Sequence, residues 1–135
     1  MDPAHPALVA ARSSWRCVMD KDKEGWLALM ADDVCVEDPI GQAPTNPTGE
    51  GIRGKAALAD FYEKSIALAR ITIEAAESFA AGQESAHVLD LTTSFDDGVT
   101  MHAHGIFPDR IDDSGHITNL RGYWSLADSK IERAS

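Results

Sequence analysis

The chain has little that would tie it to a metal, a membrane or a nucleic acid. Only two of its 135 residues are cysteine, Cys17 and Cys35, and they lie far apart. No CxxC pair exists, which argues against a zinc or redox motif and predicts two buried, reduced thiols. No apolar run approaches 18 residues, so no helix is expected to span a bilayer. Met1 to Pro6 lack the basic-then-apolar order of a secretory signal, and a cytoplasmic protein is expected. Positive charge is scarce. Twelve Lys and Arg stand against 22 Asp and Glu, a formal net charge of −10. With no surplus of cations to neutralise phosphate, nucleic acid and anionic membranes are poor partners, and a neutral or apolar small ligand fits better. Neither HExxH nor GxSxG occurs, and there is no internal repeat.

What is present is ordinary for a globular protein: 44% hydrophobic and 25% charged residues. The length predicts one domain over residues 1–135, large enough for a core and one internal pocket. Leu8, Ala11, Trp15 and Val18 recur at three- and four-residue intervals, which predicts a helix from Pro6 to about Met19. A shorter helix over 24–31 carries Trp26, Leu29 and Met30. Val34 to Asp38 reads as a strand stopped by Pro39. Residues 39–54, rich in Pro and Gly, form a long loop of the kind that carries function. A third helix is expected from Lys55 to about Ala69. Strands follow over 70–77, 86–95, 99–107 and 116–126, with turns at Asp96-Asp97-Gly98 and Asp112 to Gly115. Helices first and an antiparallel meander afterwards predict an α+β fold, the sheet curling over the helices.

Asp38 is the leading candidate for chemistry. On a strand, alternate residues share a face, so Asp38 points with Val34 and Val36 to the apolar side while Glu37 points away. A carboxylate so placed is partly desolvated, which makes it a better proton acceptor near neutral pH. The alternative is an Asp that caps the Pro39-Ile40-Gly41 turn. Trp15, Met30, Phe61, Phe107 and Trp124 are read as the lining of an apolar cavity, with plain core packing as the alternative for each. Asp109 shares the strand parity of Phe107 but, beside Arg110, reads as a solvated strand end. His102 and His104 form an HxH pair lacking a third ligand at suitable spacing, so no metal is expected. Residues 49–55 fit GxxxxGK, but Ala56 stands where magnesium needs Ser or Thr and Glu50 would repel phosphate, so no phosphate loop is expected.

The runs ADDVCVEDPIG, KAALADFYEKSI and GHITNLRGYW resemble the ketosteroid isomerases and their relatives in the nuclear transport factor two-like, or cystatin-like, superfamily. The likeness covers about Pro6 to Ile131. It implies three N-terminal helices packed in a strongly curved, mostly antiparallel sheet, forming a cone with an internal apolar pocket. It implies that Asp38 is a general base carrying a proton from C4 to C6 of a Δ5-3-ketosteroid, with no cofactor and no metal. In that family a first-helix Tyr and a protonated late-strand Asp hold the substrate oxygen; here those positions are Ser14 and Phe107. Tyr62 matches a supporting family Tyr on the third helix and is the expected substitute donor, with Ser14 the weaker one. Loss of both donors implies slow turnover. The resemblance also implies a homodimer through the outer sheet face, where His102 and His104 fall. Two rival readings stay open: a steroid- or lipid-binding module without turnover, and another enzyme on this fold, such as a polyketide cyclase or epoxide hydrolase. A hydrolase would want a pair of inward carboxylates with an Arg; only Arg121 lies near that depth, and no second inward acid is expected.

Overall fold

Pro6 sits in the first turn of α1 (Pro6–Asp20), where its missing N–H costs nothing, and His5 caps the helix by accepting from the Ala7 amide. The helix ends on Lys21 in the left-handed conformation (φ 58°). Asp22 caps α2 (Lys23–Ala28) through the Gly25 amide. This helix is shorter than the sequence suggests, because Met30 and Ala31 belong instead to β1 (Met30–Glu37). The two-residue β2 (Ile52–Arg53), α3 (Lys55–Lys64) and a 3-10 turn (Ile66–Leu68) lead into the sheet. The Ser65 hydroxyl donates to the Phe61 carbonyl where α3 stops. Then come β3 (Ala69–Ala81), β4 (Glu84–Phe95), β5 (Val99–Ile111), β6 (Ile117–Arg121) and β7 (Lys130–Arg133). The computed structural model describes residues 2–133.

The strands form one mixed sheet in the order β2-β1-β6-β5-β4-β3, with β7 also paired to β5. Only β1 and β6 run parallel; the other pairs are antiparallel. The sheet curls without closing, and α1 packs against β3, β4 and β5 inside the curl. The expected α+β cone is therefore the fold. Two short strands, β2 and β7, are additions. The last strand of the meander ends at Arg121 rather than Leu126, and β5 runs to Ile111, four residues past its expected end.

The helical periodicity places Leu8, Ala11, Ser14 and Val18 on the buried stripe of α1. Leu8, Val34, Leu58 and Ile117 are almost wholly buried, each contributing about 1.5–3 kcal/mol through removal of apolar surface from water. On β4 and β5 the two-residue alternation sorts the faces. Leu89, Ala103 and Phe107 are buried inside the cone, while Asp90 and His104 stand outside. The core fills only part of the cone. The remainder is a cavity of about 820 Å³ bounded by α1, α3, the 39–51 loop and the inner faces of the strands.

Candidate active site

Asp38 follows the last residue of β1. The Gly122 amide donates to the Glu37 carbonyl (2.8 Å) and the Ile40 amide to the Gly122 carbonyl (2.9 Å), so the chain beside Asp38 is held against the end of β6. Glu37 turns outward and accepts from Arg121 Nε at 3.1 Å; Asp38 turns into the cavity. Its Oδ1 accepts a hydrogen bond from Trp124 Nε1. Gly122 has no side chain for a plain steric reason: a Cβ there would lie 2.8–2.9 Å from Phe107, Asp38 Oδ1 and Trp124 at once. The loop wall is fixed by Asn46, which is fully buried; its amide donates to the Pro39 carbonyl and accepts from the Gly51 amide, while Thr45 donates to the Asp38 carbonyl. What surface Asp38 exposes opens into the cavity. Enclosure by protein raises its pKa above the ordinary value, and the Trp124 bond opposes part of that rise.

At the buried end of the cavity lies a second carboxyl, Asp109, only 6% exposed. This corrects the expectation of a solvated strand end. Because β5 continues to Ile111, Asp109 keeps the inward parity of Phe107 and Ala103. Burial pushes its pKa well above the carboxylate range, and the charge of Asp38 pushes it further. Two carboxyls in one low-dielectric space resist ionising together, so Asp38 is the one to ionise first. Behind Asp109 is His87, 1% exposed, with Nε2 2.8 Å from Ser85 Oγ and 3.7 Å from Asp109 Oδ2 and with Nδ1 2.8 Å from Ser78 Oγ. The 3.7 Å separation is too long for a hydrogen bond. Burial and then the Arg12 charge bring the His87 pKa down to about 4, so it is neutral at physiological pH. Trp15 meets its ring edge-on at 4.7 Å. Ser14 also borders the cavity; its Oγ accepts from Trp26 Nε1 at 3.0 Å, which leaves its own O–H without an acceptor among the described residues.

Of the residues singled out in the sequence, Asp38, Ser14, Trp15, Phe61, Phe107 and Trp124 border the one cavity. Met30 and Tyr62 do not. Met30, 1% exposed, sits at the far end of β1 in the core with Val34 and Ile117, eight residues from Asp38 and so roughly 25 Å along the strand. Tyr62 follows Phe61 on α3, and neighbouring helical positions point about 100° apart; Phe61 takes the cavity side. The Tyr62 ring is buried against Trp26 at 5.8 Å, under the Lys23 ammonium at 5.9 Å, so it is not a donor to the cavity. The expectation of no second inward acid is also corrected by Asp109. Arg121 borders the cavity as well, but its guanidinium is engaged by Glu37 rather than by either Asp. His102 and His104 lie on the outer face, bonded to Glu132 at 3.3 Å and Asp90 at 2.6 Å. Sequence reasoning missed Asp109, His87 and Ser85. For Asp109 the signal was strand parity carried two residues past the expected end of β5; His87 lies within the expected span of β4 on the inward parity of Leu89, and Ser85 one residue before its start.

Comparison with known proteins agrees with this fold. Residues 11–120 match the model of the SnoaL-like domain. Among solved structures, a Δ5-3-ketosteroid isomerase from Mycobacterium sp. is 49% identical over 94% of this chain and 98% of its own, with a TM-score of 0.91. A Mycobacterium tuberculosis protein in complex with estradiol-17beta-hemisuccinate is 50% identical over 93% and 98% of the two chains, TM-score 0.90. A computationally designed 17-OHP binder is 47% identical over 94% and 98%, TM-score 0.92.

Proposed function

The chain belongs to the SnoaL-like domain family, and from that premise we propose that it binds a 3-ketosteroid or similar polycyclic ketone and moves its double bond from Δ5 to Δ4. The observation that carries the reading is an ionisable carboxylate, Asp38, opening into an 820 Å³ apolar cavity that holds a second carboxyl, Asp109, whose burial favours its neutral form. That volume lies within the roughly 300–1,000 Å³ of small-molecule sites. The ligand's carbonyl oxygen lies at the buried end, where the Asp109 and Ser14 O–H groups are its hydrogen-bond donors. Asp38 takes a proton from C4; the C4–H electrons form a new double bond to C3 and the carbonyl electrons move to oxygen. The developing negative charge is stabilised by donors already in place and shielded from water. Asp38 then returns the proton to C6, the double bond settles at Δ4, and the carbonyl reforms. One carboxylate serves as base and then acid, and no electron donor or acceptor is consumed. The outer sheet face, with Phe79, Ile106 and Tyr123 more than half or about half exposed, supports pairing of two copies there.

The test is ultraviolet detection of the conjugated enone formed from a Δ5-3-ketosteroid. Wild type should turn over, and Asp38→Asn should lose about 10²–10⁴ in rate, the usual worth of a positioned proton acceptor. Equal rates would remove Asp38 from the chemistry. A second reading, binding without turnover, draws on Ser14 standing where the resembling isomerases use a phenol; steroid affinity with no enone formed would establish it.

A further inference from the structure

A second chamber of about 270 Å³ adjoins the main cavity, and nothing in the chemistry above uses it. The two spaces share the walls made by Pro44, Thr45, Phe95, Met101 and Trp124, so they are neighbours across a thin partition rather than separate sites. Trp124 belongs to that partition and is tied to Asp38 by its N–H bond. Val99, Leu126 and Ile131 wall the second chamber alone. Its chemistry is uniform. Thr45 is the one side chain in its wall with a polar atom besides the Trp124 N–H, and both are committed, Thr45 Oγ1 to the Asp38 carbonyl at 2.6 Å and Trp124 Nε1 to the Asp38 carboxylate. A chamber whose polar side-chain atoms are already bonded offers a ligand only hydrocarbon contact.

Its position fixes which part of a ligand could reach it. The buried end of the main cavity is marked by Ser14, Leu89, Phe107 and Asp109, all under 8% exposed, whereas Leu68 and Phe95 at the opening are 61% and 40% exposed. The chamber touches Phe95 and Met101, at the open end. A polycyclic ligand with its carbonyl at the buried end therefore presents its opposite end to the partition. The far wall is also the least secured part of the sheet. All four residues of β7 are exposed, and among the described residues it pairs only with Val99–His102 of β5. A short edge strand held by one neighbour opens at low cost, so this wall can yield to an incoming group and close over it.

We propose that this chamber takes an aliphatic arm on the end of the ligand remote from its carbonyl, with Leu126 and Ile131 closing over it. The inference rests on the main cavity holding a polycyclic ketone, and it narrows the ligand class to one carrying a hydrocarbon side chain. The test is a methyl-NMR titration of the intact protein with two 3-ketosteroids, one bare on ring D and one bearing a branched eight-carbon alkyl chain there. Both should move the methyl signals of Ile71 and Leu91, which border only the main cavity. Only the second should also move Val99, Leu126 and Ile131. Each enclosed methylene is worth about fourfold in affinity (about 0.8 kcal/mol), so three or more should tighten binding well beyond tenfold. Ile131→Asp should erase that gain and leave the bare steroid's affinity unchanged. An arm that leaves Val99 and Ile131 unmoved, or adds no affinity, would overturn the proposal. If neither steroid moves any methyl, it is the steroid reading that fails. The chamber is then titrated with n-octane, and unmoved Val99 and Ile131 signals there would overturn the hydrocarbon assignment itself.

Discussion

The two faces of one strand treat the same chemical groups in opposite ways. On the inner face, Asp109 is driven toward its neutral form by burial and by Asp38, and His87 behind it is likewise kept uncharged. On the outer face, Glu132 is held more acidic than usual, first by the Lys130 and then by the His102 hydrogen bond. His104 stands there in contact with Asp90. Inside, no water balances a charge, so polar groups survive as neutral donors and acceptors. Outside, solvent and hydrogen-bonding partners balance charge, and Glu132 is favoured in its ionised form. A single two-residue alternation along β5 thus separates a surface of salt bridges from a floor of uncharged hydrogen-bonding groups, and only the latter can steer a reaction at an apolar ligand.

Acid titration of stability sharpens that contrast most. His87 has a folded pKa of about 4 against an ordinary 6.5, so between those values the unfolded chain binds the extra proton. Its contribution is complete above pH 6.5 and is lost as pH falls toward 4, a change of about 3 kcal/mol by linkage. Denaturant unfolding of wild type and His87→Gln across this window should show the difference narrowing on acidification. Parallel curves would mean His87 is hydrated or charged in the folded protein. The raised carboxyls act with the other sign: above the ordinary carboxylate pKa of 3.8, stability contributed by neutral Asp109 declines as pH rises through its folded pKa. The smallest effect belongs outside. His104→Ala breaks a pair whose side chains are 65% and 53% exposed, and should change stability by no more than about 1 kcal/mol. A larger loss that grows with protein concentration would place this pair within the proposed contact between two copies.

Much of the fold was legible because periodicity is local. The stripe on α1 and the strand–Pro stop at Asp38 follow from side-chain spacing alone, and the inward turn of Asp38 against the outward turn of Glu37 follows from parity. Tyr62 misled because it matches a family Tyr on α3, and Met30 because helical spacing carried the second helix through it; which side of α3 meets the cavity depends on how that helix packs, and the start of β1 depends on pairing of Met30 with Ile117 across the chain. Asp109 was hidden by a boundary. Beside Arg110 it looks like a strand end, yet pairing with Ser85 of β4 and Leu120 of β6 keeps β5 going and keeps Asp109 inside. Gly122 carries no signal until three site groups are seen crowding its α-carbon.

The central claim is that an ionised Asp38 shares its apolar cavity with a protonated Asp109, and infrared difference spectroscopy at neutral pH addresses it directly. A protonated-carboxyl stretch should be present in wild type, persist in Asp38→Asn and vanish in Asp109→Asn. A spectrum without that band, or one in which the band disappears with Asp38 instead, would contradict the account.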